Sequence, residues 1–476
     1  MTAVAADALL GFQWFVLVYF VALNSTYLGL LVLAAGDVVA YVRRRDVVSD
    51  LALFESPLTP AASIIVPAFN EEAGIVQSVT ALQAQRYPTF EVVVVDDGST
   101  DATFSRLHEA LDLVEVPRVI PDTVPTRGEV RSVHVPRDGA PVTVVRKVGM
   151  GRKTDALNVG INASRHPLLC MVDADAVLDP DALLRVMTPF IEDPRVVATG
   201  GAVRAVNDSV VVQGHLVEPR LPRRWIARVQ VVEYLRAFLF GRSGWSRLSA
   251  LLIISGAFGG FRREEVVAIG GYDDDSIGED ADLVTRLHRH CRERGQDYRI
   301  RFVPEPVCWT EVPETLTILA RQRRRWSHGL ADTLSRNRRM IGRPRYGPVG
   351  VAALPYFVVF ELIGPAVELV GLLTLVLGLS LGVLSPEFGA LFIGVAFGYG
   401  LLLSVVSITT DQLSFHRYDR WRDLLPALVA AVIENVGYRQ LHCWWRLQGA
   451  WSSLRGTARE WGAMERRGFA SSPPAR

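Results

Sequence analysis

Leu168-Leu169-Cys170-Met171-Val172-Asp173-Ala174-Asp175 decides the fold. A short apolar run ends in two carboxylates one residue apart. The pattern recurs upstream. Ser63-Ile64-Ile65-Val66-Pro67 is one such run, and Val92-Val93-Val94-Val95 is another, ending in Asp96-Asp97-Gly98-Ser99. Residues 72–85 between them read as a helix. Continuous apolar strands alternating with helices predict an α/β domain with a Rossmann-like, mostly parallel sheet covered on both faces. In such sheets ligands bind at the carboxyl ends of the strands, where two acidic clusters sit. Residues 117–141, rich in Pro, Gly, Thr and Arg, read as an irregular loop.

Outward from this region the chain turns apolar. Of its 476 residues 49% are hydrophobic and 21% charged, values that suit a chain part soluble and part in lipid. Residues 8–36 carry no charge and are long enough to span a bilayer, which takes roughly 20 apolar residues. Arg43, Arg44 and Arg45 follow, so the positive-inside rule puts that end in the cytosol and the N-terminus outside. A cleaved signal peptide fits less well, because no basic residue precedes the run and the run is too long. Residues 369–386 and 388–410, separated by Glu387, read as a helical hairpin; Arg417, Arg420 and Arg422 place its far end in the cytosol. The shorter runs 347–360 and 424–433 read as interfacial, as does the basic tail with Trp444, Trp445, Trp451 and Trp461. Three spans are expected. The domains are a transmembrane helix (1–45), a cytosolic catalytic domain (46–345), interfacial helices with the hairpin (346–440) and the tail (441–476). The expected location is the plasma (inner) membrane, multi-pass.

Charge and cysteine content narrow the function. The net charge of +1 gives no bulk reason to expect nucleic acid as a partner. Four scattered cysteines have no metal-ligand spacing and suit a reducing compartment as small buried residues. Basic residues are nearly all arginine; the two lysines are Lys147 and Lys153. For Lys147 compositional drift is as good an account as a need for an ammonium there.

Asp173 and Asp175, on a strand-to-loop turn, can both reach a divalent cation, magnesium or manganese, which takes oxygen ligands and keeps positions open for phosphate oxygens. Standing alone, such a pair is as well read as a solvated turn. It does not stand alone. Pro67-Ala68-Phe69-Asn70-Glu71 ends an earlier strand, and Lys153 stands in Gly149-Met150-Gly151-Arg152-Lys153-Thr154-Asp155, a glycine-containing approach with a cation that suits a phosphate-bearing ligand. Ser255-Gly256-Ala257-Phe258-Gly259-Gly260-Phe261, Gly278-Glu279-Asp280 and Gln322-Arg323-Arg324-Arg325-Trp326 follow.

In this order the motifs Asp97, Asp173-Ala174-Asp175, Gly278-Glu279-Asp280 and Gln322-Arg323-Arg324-Arg325-Trp326 resemble those of the processive, membrane-bound family 2 glycosyltransferases, the cellulose, chitin, hyaluronan and poly-N-acetylglucosamine synthases. The resemblance implies a GT-A fold. It implies that Phe69, Glu71 and Asp97 line a uridine pocket and that Lys153 and Asp173 contact the donor diphosphate. Asp175, with Asp173, would bind the metal. Asp280, with Glu279 beside it, would act as general base on the acceptor hydroxyl. Gln322 and Arg325 would hold donor phosphates, while Trp326, Phe258 and Gly259 face the acceptor. Arg321, Arg323 and Arg324 also read as a membrane-surface anchor. Residues 220–252 suit an amphipathic helix at the membrane face that helps close a channel floor.

Tyr234-Leu235-Arg236-Ala237-Phe238, Ile254-Ser255-Gly256-Ala257-Phe258-Gly259 and the tail 461–469 make the poly-N-acetylglucosamine synthases the nearest likeness. That implies UDP-N-acetylglucosamine as donor and a growing extracellular polysaccharide as acceptor and product. The bilayer, and accessory membrane or export proteins, are the implied partners. Two other classes compete. One is a single-addition transferase acting on a lipid-linked acceptor, or a synthase of another polymer; the Gln322, Arg325 and Trp326 motif argues for processivity. The other is a channel or scaffold, which has no reason to keep Asp97, Asp175 and Asp280 together.

Overall fold

Strand side chains alternate between the two faces of a sheet, so a strand covered on both faces is apolar throughout. The structure, a computed structural model, describes residues 3–45, 54, 56, 57, 59–415 and 421–455. Helix α1 (Ala3–Arg45) leads to β1 (Ala62–Ala68), α2 (Ile75–Gln83), β2 (Phe90–Asp96), α3 (Thr103–Ala110), β3 (Leu113–Glu115), β4 (Val130–Pro136) and β5 (Val142–Lys147). Then come α4 (Lys153–Ala163), β6 (Leu168–Val172), β7 (Val177–Leu178), α5 (Ala182–Glu192), β8 (Val196–Ala205) and the paired β9 (Val210–Val212) and β10 (His215–Glu218). The domain closes with α6 (Trp225–Tyr234), α7 (Arg242–Arg247), β11 (Phe258–Arg262), α8 (Arg263–Ala268), α9 (Glu279–Glu293), β12 (Arg299–Thr310) and α10 (Leu316–Arg336).

Ten strands form one sheet in the order β3-β4-β5-β2-β1-β6-β11-β8-β12-β7. On β1 the alternation is direct: Ile64 and Val66 enter the core on one face, Ile65 the core on the other. The expected parallel part is β5-β2-β1-β6, and β8 pairs β12 in parallel as well. The sheet is mixed beyond that, because β11 runs antiparallel between β6 and β8. Residues 117–141 are not loop throughout, since β4 falls within them. Its valines suit a pleated, half-buried strand, and it pairs antiparallel with β3 and β5. The helix expected over 72–85 starts later, at Ile75, because Glu72 is spent on the neighbouring loop: its Oε2 accepts from Ala102 N at 3.0 Å.

Helices α11 (Val349–Leu362) and α12 (Gly364–Ser380) meet at a 40° bend, and α13 runs Pro386–Gln412. By length and composition two helices, Ala3–Tyr41 and Pro386–Gln412, can cross a membrane, and three spans result if the bent pair counts as one. Segment 347–360, expected at the interface, is the first arm of that pair. Polar side chains of α1 bind the other helices: Gln13 Nε2 donates to Gly371 O at 3.1 Å, Tyr19 OH to Val359 O at 2.8 Å and Asn24 Nδ2 to Val395 O at 3.1 Å. In an apolar medium such bonds hold helices together.

Two last helices, α14 (Trp421–Ile433) and α15 (Arg439–Leu454), pack back on the sheet domain, α14 on α6 and α15 on α10. A Cβ on Gly449 of α15 would run into the Arg324 carbonyl of α10. Helix α6, expected to be amphipathic at a membrane face, is instead buried except at Trp225 and Arg228, because the sheet covers one side and α14 the other. Arg417, Arg420 and the tail from 456 onward, 461–469 included, lie outside the described residues.

Candidate active site

The loops after β1 and β2 are stitched to each other. Asn70 Oδ1 accepts from Thr100 N at 2.8 Å, Asn70 N donates to Ser99 Oγ at 3.1 Å, and Glu71 N donates to Thr103 Oγ1 at 2.8 Å. Asn70 adopts a left-handed φ of 54°, which asparagine tolerates. This leaves the Phe69 ring half exposed at the carboxyl edge of the sheet.

Asp97, after β2, is buried against Lys147, whose Nζ also lies 2.8 Å from Asp155 Oδ2. Burial pushes the Asp97 carboxyl above its ordinary range, against the pull of Lys147. The ammonium at 147 is therefore a counter-ion between two buried acids. Gly149 is required beside it, because a Cβ there would strike the Asp97 carbonyl.

The second lysine has a different setting. Lys153 opens α4, with its Nζ on Asp173 and 3.3 Å from the Gly256 carbonyl. Burial alone would lower its pKa, but Asp173, Glu279 and Asp175 together carry it above the usual lysine value. Three carboxylates, from the end of β6 and the start of α9, thus face one ammonium. Glu279 answers in kind: burial and Asp280 raise its pKa, while Lys153 and Arg325 pull it down. Asp280 Oδ1 accepts from Ala281 N at 2.8 Å in the first turn of α9, where the helix dipole favours an acid. Gly256 lies between the two groups. A Cβ on it would stand 3.3 Å from Lys153 Nζ and 3.9 Å from Asp280 Cβ.

Helix α10 closes this edge. Gln322 is buried, and Trp326 is 37% exposed beside Phe238, at 6.0 Å between ring centroids. Arg323 is not a membrane-surface anchor. It is buried, Nη2 donating to Glu233 Oε2 at 2.7 Å, with Cζ 4.3 Å from the Trp326 ring. Arg321 and Arg324 remain exposed.

Phe258 and Gly259 do not reach the acceptor side. Phe258 is fully buried where Gly201, lacking a side chain, admits its ring. Gly259 pairs with Met171 and Gly200 inside the sheet. The glycine-rich stretch resembles a ligand turn in sequence, but its glycines serve close packing from Gly259 on, and only Gly256 faces the acids. Tyr272 had no sequence signal. Burial, and then the carboxylates of Glu279, Asp280 and Asp173, push its phenol well above the ordinary value.

Among the described residues no three His, Cys, Asp or Glu side chains make a closed metal site. The donor set at the end of β6 is the carboxylate pair Asp173 and Asp175. All-oxygen ligation suits magnesium or manganese, which leave positions for ligand oxygens.

An α/β sheet with convergent acids and a cation at its carboxyl edge, tied to apolar helices, defines a membrane-associated group-transfer enzyme of GT-A-like fold. Residues 60–329, more than half of the chain, match the family described as Glycosyltransferase like family 2, and the chain belongs to that family. A poly-beta-1,6-N-acetyl-D-glucosamine synthase of Staphylococcus epidermidis is 26% identical over 275 residues, 58% of this chain and 56% of the relative. The corresponding synthase of Staphylococcus aureus (strain COL) is 27% identical over the same shares. The chain thus matches about half the length of these relatives. Among solved structures, a mannosyltransferase from Pyrobaculum calidifontis in complex with GDP-Man and Mn2+ is 20% identical with a TM-score of 0.50, covering 89% of this chain and 99% of that one; the likeness is one of fold.

Proposed function

We propose that the protein is an inverting, UDP-sugar-dependent glycosyltransferase that polymerises N-acetylglucosamine at a membrane. The observation that carries the reading is the convergence of Asp173, Asp175, Glu279 and Lys153 at one sheet edge, with Asp280 across the Gly256 gap and Trp326 on the helix that closes it. The relatives' names support N-acetylglucosamine as the sugar.

In this reading the half-exposed Phe69 ring offers a stacking face for the base, with Glu71 and Asp97 behind it. Asp173 and Asp175 would hold a divalent cation; the fold relative is in complex with GDP-Man and Mn2+. When bound, the ion would supply positive charge against the leaving diphosphate. Lys153 and Arg325 add fixed positive charge on the same side. Gln322, buried on α10, orients donor phosphates with Arg325. Asp280 takes the proton from the acceptor hydroxyl as its oxygen attacks the anomeric carbon from the face opposite UDP. A single displacement with one base inverts the anomeric configuration. Glu279, held between Lys153 and Arg325, sets the local charge beside that base. Trp326 stacks on the acceptor sugar, and α10, packed against α15, would pass the chain toward the membrane helices. The domain limits 1–45, 46–345, 346–440 and 441–476, a cytosolic catalytic face and export of the product belong to the same reading.

The test is purified protein in nanodiscs with a panel of UDP-sugars and magnesium or manganese, recording released UDP and product size. High-molecular-weight product from UDP-N-acetylglucosamine supports a processive synthase. UDP release with short or lipid-linked product would replace it with single addition. No turnover with any donor counts against the reading.

A further inference from the structure

Four side chains form a stack beside the acid cluster. The Arg323 guanidinium lies 4.3 Å from the Trp326 ring, Trp326 lies 6.0 Å from Phe238, and Phe238 carries the Arg242 guanidinium 4.2 Å from its centroid. Cation–aromatic contacts of this kind strengthen as water is excluded from them. The two ends differ. Arg323 is fixed by Glu233, which also accepts from Tyr438 OH at 3.0 Å. Arg242 is 91% buried, yet among the described residues its Nη1 has no hydrogen-bond partner and it makes no ion pair.

A buried arginine without an acceptor is costly, and native structures seldom leave one unless something else completes it. Burial pulls the Arg242 pKa down to about 10, and the carboxylate that opposes this is Asp280. Arg242 therefore lies within reach of the field of the group placed at the acceptor hydroxyl, yet is not bonded to it. What completes it should accept hydrogen bonds and offer an apolar face to Phe238 and Trp326. It should also carry no negative charge, because Asp280, the carboxylate whose field reaches Arg242, would repel one. A neutral sugar ring meets all three conditions, and a phosphate does not.

We infer that Arg242 is an acceptor-binding residue, its guanidinium donating to a hydroxyl or amide-carbonyl oxygen of the terminal acceptor sugar while that ring lies along Phe238 and Trp326. The inference rests on the reading that the site is a glycosyltransferase centre with Asp280 at the acceptor.

The experiment is calorimetric titration of the full-length protein in nanodiscs with an N-acetylglucosamine trisaccharide, and separately with UDP and manganese. Arg242→Gln should weaken trisaccharide binding about tenfold, the loss of one charge-assisted hydrogen bond, and leave UDP binding unchanged. Arg242→Lys, keeping charge and a donor, should recover part of the loss. Equal trisaccharide affinity in Arg242→Gln, no trisaccharide binding by the wild type, or a parallel loss of UDP binding would each overturn the inference. UDP release from UDP-N-acetylglucosamine, measured on the same wild-type preparation, separates the two readings. Arg242-dependent trisaccharide binding without any turnover sinks the proposed reaction and leaves the saccharide site standing.

Discussion

Gly278 and Gly329 meet backbone against backbone: a Cβ on Gly278 would stand 2.8 Å from the Gly329 carbonyl oxygen, and one on Gly329 2.9 Å from the Gly278 Cα. Gly278 precedes the acids of α9, and Gly329 lies three residues past Trp326 on α10. The contact therefore fixes the gap between Asp280 and the residues proposed to hold the acceptor. Gly329→Val should force the helices apart at a cost of about 1–3 kcal/mol, typical of overpacking. A lower melting temperature together with reduced UDP release is expected. An unchanged melting curve would show that the contact is looser than this packing.

Asp280→Asn keeps the shape of the side chain and its acceptor for Ala281 N, but removes the proton acceptor. Transfer should fall by about 10²–10⁴-fold, the usual contribution of a positioned base. UDP binding, which rests on other residues, should stay. Near-normal turnover in this variant would sink the assignment of the base.

Asp175→Ala removes one of the two carboxylates at the end of β6. Donor binding should weaken in manganese, and the concentration of metal needed for half-maximal binding should rise. Metal dependence identical to the wild type would move the cation elsewhere.

Phe258→Ala should act on stability rather than on the acceptor. The ring is fully buried between β6 and β8, and large-to-small changes of that kind cost about 3–5 kcal/mol. A sharp fall in melting temperature with an unchanged KM for acceptor is the expected pair of results. An altered acceptor KM at unchanged stability would restore Phe258 to the acceptor side.

The strands were legible because both of their faces are apolar, so Ile64-Ile65-Val66 and Val92 to Val95 announce themselves without any partner. The acids were legible because strand ends are where such sheets bind ligands. What stayed hidden depends on which side of the sheet a residue faces and on who comes to meet it. Phe258 and Gly259 sit one step into β11, and nothing in their sequence separates a ligand turn from a strand that needs Gly201 opposite. Lys147 and Lys153, six residues apart, look alike in sequence. One is closed between Asp97 and Asp155, the other opens onto Asp173, and only the packing of Gly128, Gly149 and Gly256 around them makes the difference. Arg323 is the same case on a larger scale, because its partner Glu233 lies 90 residues away in the sequence.

His288 offers a pH test that involves none of the proposed catalytic groups. Its imidazole is buried in α9, Nε2 donating to the Leu251 carbonyl at 2.8 Å and Nδ1 accepting from Tyr298 OH at 2.6 Å. Burial, only partly opposed by the Leu251 carbonyl, pulls its pKa from 6.5 down to about 4. The unfolded chain therefore takes up a proton between about pH 6.5 and about 4 that the folded chain refuses. The stability due to this neutral imidazole is complete above pH 6.5 and drains away as the pH falls toward 4. The loss is on the order of 3 kcal/mol, since each tenfold change in proton affinity is worth about 1.4 kcal/mol. His288→Gln can keep one donor and one acceptor without titrating. Its melting temperature should start lower at neutral pH but fall less steeply between pH 6.5 and 4 than that of the wild type. Parallel slopes for the two proteins would mean that the imidazole takes up its proton in the fold over the same pH range as in the unfolded chain, and that its two hydrogen bonds rearrange to accept the charge.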